Sequence, residues 1–211
     1  MEQNYDIIII GGGLLGCATA YQLSKRNAGK ILLLDGNEIA SQASARAASL
    51  LTRARTKPAL MELVQETYDC IKEIEVLLDE SLELQQCGSV TIASSDSSLK
   101  GLEALEEAAT RFGIPNERIS RERVKELLLW IESDAVDVAL YMPTDAFIDS
   151  ALLCSGYARA AAKLGVELKP NCKVKEIIVE QDEIRGVSLV NGERLNAPIV
   201  VNAAAVSYTH L

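Results

Sequence analysis

The sequence predicts an α/β protein, a parallel sheet with helices joined to a small β-meander, and two observations carry that expectation. Near the start, a short apolar run from Ile7 to Ile10 leads through three glycines into a stretch of helical spacing and then into a second apolar run, Ile31 to Leu34. Towards the end the spacing shortens to strand-length pieces, Val174 to Val179, Ile184 to Val190 and Ile199 to Asn202, with Asn191-Gly192 as a hairpin signal. The chain has 211 residues, 48% of them hydrophobic, enough for one good core or for two small domains sharing one.

Ile7 to Ile10 has the pattern of a parallel strand buried on both faces. Leu15, Ala18, Thr19 and Leu23 then recur at helical spacing, and Gly29 suits a left-handed residue after the helix. Ile31 to Leu34 completes a βαβ unit. Pro58 stands at a first helical position, and Leu60, Leu63, Val64, Tyr68, Ile71, Ile74, Leu77 and Leu78 mark a long amphipathic helix. Val90 to Ala93 reads as a strand. Leu99, Leu102, Leu105 and Phe112 give a helix stopped by Gly113, and Val124, Leu127 and Leu128 a short one. Val136 to Met142 is a further strand, and Leu152, Leu153, Tyr157, Ala160 and Leu164 form a helix face ending at Gly165.

A formal charge of -9 argues against a nucleic-acid partner, which needs clustered Lys and Arg. A small anionic cofactor remains compatible, because backbone N–H groups can hold phosphates. Cys17, Cys70, Cys87, Cys154 and Cys172 are scattered, without a CxxC pair or a nearby histidine, so they read as reduced packing residues and no metal site is expected. The single histidine, His210, is one residue from the end, which speaks against histidine catalysis. The uncharged stretch Ile7 to Ser24 has the look of a signal peptide or membrane span. However, Glu2 and Asp6 stand where basic residues are needed, and the glycines divide it. A cytoplasmic protein without a transmembrane segment is expected, with a peripheral seat at the inner face of a membrane left open.

The glycines carry the chemistry. A strand running into Gly11-Gly12-Gly13-Leu14-Leu15-Gly16 and then a helix gives a GxGxxG in its meaningful context. Gly11 allows the tight turn, Gly13 lets a pyrophosphate approach the backbone, and Gly16 lets the helix pack on the strand. Asp35, with Gly36 beside it, falls at the end of the second strand, where an acid accepts hydrogen bonds from the adenosine ribose and disfavours a 2′-phosphate. This Rossmann-like fingerprint reads only the ADP half that FAD and NAD share. Further on, Ser41 to Leu51 is rich in small and hydroxyl residues, among which Ser44 and Arg46 suit phosphate oxygens. Arg46, Arg53, Arg55 and Lys57 form a basic cluster near that loop. A solvated charged edge accounts for it, and Arg53 is the best single candidate to meet a substrate carboxylate. Tyr68, Trp130 and Tyr141 suit either a substrate cavity or plain core.

Across nearly the whole chain the sequence resembles the FAD-dependent D-amino-acid oxidase superfamily, which includes glycine oxidases, sarcosine oxidases and D-amino-acid dehydrogenases. The likeness rests on the opening DIIIIGGGLLG, then SQASARAASLL, QQCGSVTIA, YMPTDAFID and the closing IVVNAA, in that order and spacing. The resemblance implies FAD, with its ADP half held at Gly11, Gly13, Leu14, Leu15, Gly16 and Asp35. The loop Ala43, Ser44, Ala48, Ser49 and Leu50 would follow the diphosphate to the flavin. It also implies that Val174 meets the adenine through its backbone and that Ala203 and Ala204 close over the cofactor.

The implied reaction oxidises the C–N bond of an amino acid or secondary amine by hydride transfer to flavin N5, with oxygen or a redox partner as electron acceptor. The implied domains are a discontinuous FAD-binding domain, 1–85 and 144–204, and the first part of an α+β substrate domain, 86–143. Asp35 stands where glutamate is commoner, and Ala146, Ser150 and Ala205 replace a usual glycine, proline and glycine. The pattern halts at Ala204, so 205–211 is expected to be a non-native tail on a truncated N-terminal part, with weak or no catalysis of its own. An NAD-dependent dehydrogenase and a non-catalytic flavoprotein-like subunit are the rival readings.

Overall fold

The computed structural model describes residues 3–131 and 136–205. His210 and most of the expected tail lie outside the described residues. Two short strands, β1 (Gln3–Asn4) and β2 (Ile7–Ile10), lead into α1 (Leu14–Lys25) and β3 (Ile31–Leu34). A 3-10 turn at Ala43–Arg46 and β4 (Leu50–Leu51) precede the long helix α2 (Pro58–Leu78). Next come β5 (Ser89–Ala93), α3 (Asp96–Arg111), β6 (Glu117–Ile119), α4 (Arg121–Leu127), β7 (Val138–Met142) and β8 (Ala146–Phe147). The chain continues through α5 (Ser150–Lys163), β9 (Glu167–Lys169), β10 (Val174–Glu180), β11 (Glu183–Leu189), β12 (Arg194–Asn196) and β13 (Ile199–Asn202). Among the described residues no helix is long and apolar enough to cross a membrane.

These elements pack as two compact units. The first comprises the chain up to Ala48, Ile74–Leu82 and the chain from Asp149 onward. Its parallel sheet runs β13-β2-β3-β9, with Ile7 opposite both Ile31 and Ile199. All residues of β2 and β3 are buried, as their uninterrupted apolar sequences require of strands covered on both faces. The meander β10-β11-β12, with β1 added in parallel to β12, forms a second sheet. Ile8, Ile10, Leu32 and Leu34 share one core with Val187, Leu189 and Leu195 of that meander.

Helix α1 corrects one expectation. Its buried residues are Gly16, Cys17, Ala20 and Tyr21, whereas Leu15 on the anticipated apolar stripe is 69% exposed. Close helix approach selects small side chains: α1 packs against α5, which buries Gly156, Ala158, Ala160 and Ala161. Tyr21 and Tyr157 meet edge to face, their ring centroids 5.7 Å apart. Gly29 does take φ +99°, but the helix has already closed before it, with Asn27 left-handed at +53°. What Gly29 provides is room for Asp6, whose Oδ2 would lie 2.4 Å from a Cβ placed there.

The second unit, Ser49–Glu73 and Glu83–Ile148, is α+β. Its antiparallel sheet runs β5-β7-β6. Leu102 and Ala109 of α3 join Ala93, Leu140 and Met142 in one core, while Val124 of α4 joins Ile119, Val136 and Ala139 in another. A capping box of Ser95 and Ser98 starts α3. Strands β4 and β8 pair as a separate antiparallel ribbon. By packing, residues 49–73 and 144–148 group with the sheet of 86–143.

Candidate functional site

Strand β2 ends where its backbone must reverse into a helix without meeting the neighbouring strand. Gly11 does this at φ +109°, its N–H donating to Leu34 O at 2.8 Å, and a Cβ there would stand 2.6 Å from Ala203 O. A Cβ at Gly16 would stand 1.8 Å from Gly11 O, so α1 can lie this close only with glycine at that position. Gly13 is the N-cap of α1 at φ -80°, and no side chain caps the helix from that position. The opening amides of a helix have no intrahelical acceptor and carry its partial positive charge. One of them, Leu14 N–H, donates to Ser44 Oγ at 2.9 Å.

The 3-10 turn at Ala43–Arg46 thus places Ser44 over the start of α1, with Ser44 Oγ 3.1 Å from where a Gly13 Cβ would be. Arg46 and Ala48 are exposed beyond it. Asp35 ties the loop from the other side. Its Oδ2 accepts from Gly12 N–H at 2.7 Å and its Oδ1 from Asn37 N–H at 2.8 Å. A carboxylate has further lone pairs on both oxygens, so these bonds leave acceptors for hydroxyls. The segment before β10 is laced to the same place: Cys172 N–H donates to Asp35 O at 2.7 Å and Asn171 N–H to Asn37 O at 3.0 Å. Gly36 faces Lys173, next to Val174, whose side chain is buried in the meander core. Ala203 N–H donates to Ile10 O at 2.8 Å, which seats Ala203 and Ala204 against the glycine loop. Ala205 takes φ +48°, a left-handed value that suits the glycine the resemblance expects there.

A second group of residues lies in the other unit. Ser49 is left-handed at φ +59° and Leu50 is 67% exposed. Arg53 is held at both its main chain and its head. Its N–H donates to Asp145 Oδ1 at 2.7 Å, Nε to Thr144 O at 3.2 Å and Nη1 to Gln65 Oε1 at 3.1 Å. The guanidinium lies 3.7 Å from the centroid of the Tyr68 ring. Burial raises the Tyr68 phenol pKa against the opposing effect of Arg53. Asp145 is buried and its Oδ2 accepts from Ser89 Oγ at 2.6 Å, whereas Thr144 Oγ1 is buried without a partner. Arg53, Met61, Val64, Gln65, Phe112 and Ile114, together with the carboxylates of Glu62, Glu66 and Asp69, line a cavity of about 410 Å³. Of the other aromatic residues, Trp130 is 81% exposed and Tyr141 packs over Gly88. Among the described residues no cluster of His, Cys, Asp and Glu could hold a metal, and all five cysteines are free.

The family described as FAD dependent oxidoreductase, DAO, matches residues 6–211. The chain belongs to it. The chain is 31% identical over 209 residues to the mitochondrial sarcosine dehydrogenase of Mus musculus, covering 95% of this chain and 22% of that protein. It is 26% identical over 199 residues to the mitochondrial pyruvate dehydrogenase phosphatase regulatory subunit of the same species, covering 94% of this chain and 23% of that one. The L-proline dehydrogenase structure from P. horikoshii superimposes with a TM-score of 0.85 at 25% identity, covering 96% of this chain and 53% of that one. The chain thus spans less than a quarter of the sequence relatives and about half of the solved structure.

The cofactor of this family fits the residues present. Gly11, Gly13 and Gly16 leave backbone open where side chains would fill it, the start of α1 and Ser44 supply donors for a diphosphate, and Asp35 supplies an acceptor for a ribose. The family settles the choice that the glycine motif left open, and the NAD alternative falls with it. The sequence had not pointed to Asn37, Asn171 and Cys172, whose ties to this place run through their backbone N–H groups. Nor had it given a role to Gln65, Thr144 and Asp145, which lie 12 to 92 residues from Arg53.

Proposed function

We propose that the chain cradles FAD within an enzyme that oxidises the C–N bond of an amino acid or secondary amine. The observation that carries the substrate class is the fixed guanidinium of Arg53, stacked on Tyr68 and hydrogen-bonded at Nε and Nη1 beside a cavity. A planar fork so pre-organised loses little entropy on pairing with a carboxylate. Two relatives add support, since their names specify sarcosine and L-proline, amino acids with a secondary amine.

Gly13, Leu14, Leu15 and Gly16 would offer amides to the diphosphate, joined by the Ser44 hydroxyl and Arg46. Asp35, with Gly36, would hold the ribose, and the backbone at Val174 would meet the adenine. Ala43, Ala48, Ser49 and Leu50 would line the path toward the flavin, and Ala203 and Ala204 would close the loop. When bound, FAD supplies the two-electron acceptance that C–N oxidation requires. Arg53 would orient the substrate by its carboxylate. Oxygen or a redox partner would take the electrons onward. A cytoplasmic location belongs to this reading as well, although both sequence relatives described above are mitochondrial by name.

Replacing Arg53 by Met in the intact protein tests the substrate assignment. KM for a carboxylate-bearing amine should rise about 10- to 100-fold, with little change for an amine lacking the carboxylate. Equal effects on both would refute it. The likeness to a regulatory subunit favours a second reading, a flavoprotein-like subunit without turnover. Anaerobic mixing with a panel of amino acids separates the two, because a pure binding subunit leaves its flavin oxidised.

A further inference from the structure

We infer that the thiols of Cys17 and Cys154 are positioning groups for the glycine loop, holding the Gly12 carbonyl inward so that the Gly13 N–H faces the cofactor diphosphate. The inference rests on the FAD reading above. Gly12 is buried, and its carbonyl oxygen accepts from Ala40 N–H at 2.9 Å. Cys17 Sγ lies 3.4 Å from the same oxygen and Cys154 Sγ 3.7 Å, with the two sulfurs 3.8 Å apart. Both cysteines are fully buried, one on α1 and the other on α5.

A carbonyl has two acceptor positions, and one left empty in a buried site costs free energy. Ala40 fills one and the thiol pair fills the other. The contact with Cys154, then burial, and the nearby Asp35 push the Cys17 thiol pKa up, so it keeps its proton and remains a donor. Among the described residues no peptide bond is cis. Across a trans peptide, C=O and N–H point in opposite directions. Fixing the Gly12 oxygen against α1 and α5 therefore turns the Gly13 N–H away from them. The Gly12 N–H, held by Asp35, completes the clamp on that residue. Cys17 serves twice, since its own N–H donates to Gly13 O at 2.9 Å.

The test compares Cys17→Ser with Cys17→Ala, nearly equal in volume but only the first with a donor, and adds Cys154→Ala and the double alanine variant. For each full chain, affinities for FAD, ADP and adenosine are measured with the apo melting temperature. We expect Cys17→Ala to weaken FAD and ADP about fivefold, the worth of one weak hydrogen bond, with adenosine unchanged. Cys17→Ser should recover most of that loss. Cys154→Ala should cost little in the wild-type background and more once Cys17 is alanine, because Cys154 is then the remaining thiol donor to the Gly12 oxygen. Equal losses in the serine and alanine variants, or equal losses of ADP and adenosine, would mean that sulfur acts only as filling and would overturn the inference. Unchanged FAD binding with a lowered melting temperature would do the same. A wild-type chain that binds neither FAD nor ADP would instead refute the underlying FAD reading, and the positioning role with it.

Discussion

At Gly16 even a methyl group has nowhere to go, because the atom it would meet is the backbone oxygen of Gly11 at 1.8 Å rather than a side chain able to turn aside. Gly16→Ala should therefore destabilise the chain by about 3 kcal/mol, read by urea denaturation, as helix and strand are forced apart. Gly13→Ala is a different case. Its φ is ordinary and its Cβ would meet only the Ser44 hydroxyl, so stability should hold while FAD affinity falls. A stable Gly13→Ala protein with undiminished FAD binding would show that the diphosphate does not pass there. Ala205 offers a gain: at φ +48°, replacement by glycine should add about 0.5–1 kcal/mol, measurable in the same denaturation series.

At the scale of elements, legibility followed burial and length. Strands β2 and β3 could be read because four consecutive apolar residues, buried on both faces, leave no alternation to misinterpret. Strand β9 was missed although it borders the same sheet. Its three residues, Glu167, Leu168 and Lys169, are half-buried and mostly charged, so neither period nor composition marks them. On α1 the helix was evident but its buried face was not, since leucine spacing counts for less than the need for small residues against α5. Helix α5 begins at Asp149, whose side chain accepts from the N–H groups of Ala151 and Leu152, and Asp149→Ala should cost about 1 kcal/mol. The edge of the parallel sheet carries a pH signature. Tyr5 donates to Glu167 Oε2 at 2.8 Å, and burial first, then Glu167, raises the phenol pKa. The folded protein thus keeps a proton that the unfolded chain releases, so this stabilisation is complete below about pH 10 and declines as pH rises above it. Thermal melts on the alkaline side should show a shallower decline for Tyr5→Phe.

For the molecule as a whole, the candidate site was half legible. The glycine loop and Asp35 stood out because their residue types are mechanically required, whereas the backbone ties from Asn171 and Cys172 could be seen only once the chain was folded. Amide exchange provides the check: ADP should slow exchange at Gly13 and Leu14 and across 35–37 and 171–174, while the amides of β5 and β7 should be unaffected. Protection spread evenly over both units would contradict a site built on the first. The sheet order β13-β2-β3-β9 also bears on how the protein emerges from the ribosome. Its two innermost strands are among the first made, but the strands flanking them arrive only at residues 167–169 and 199–202. Until residues 167–169 have been made, the nascent chain carries a strongly apolar strand pair with both edges bare, a template for misassociation. Chaperone cover over this interval, and cofactor capture only after Asn202 has cleared the exit tunnel, are the demands that the topology places on the cell.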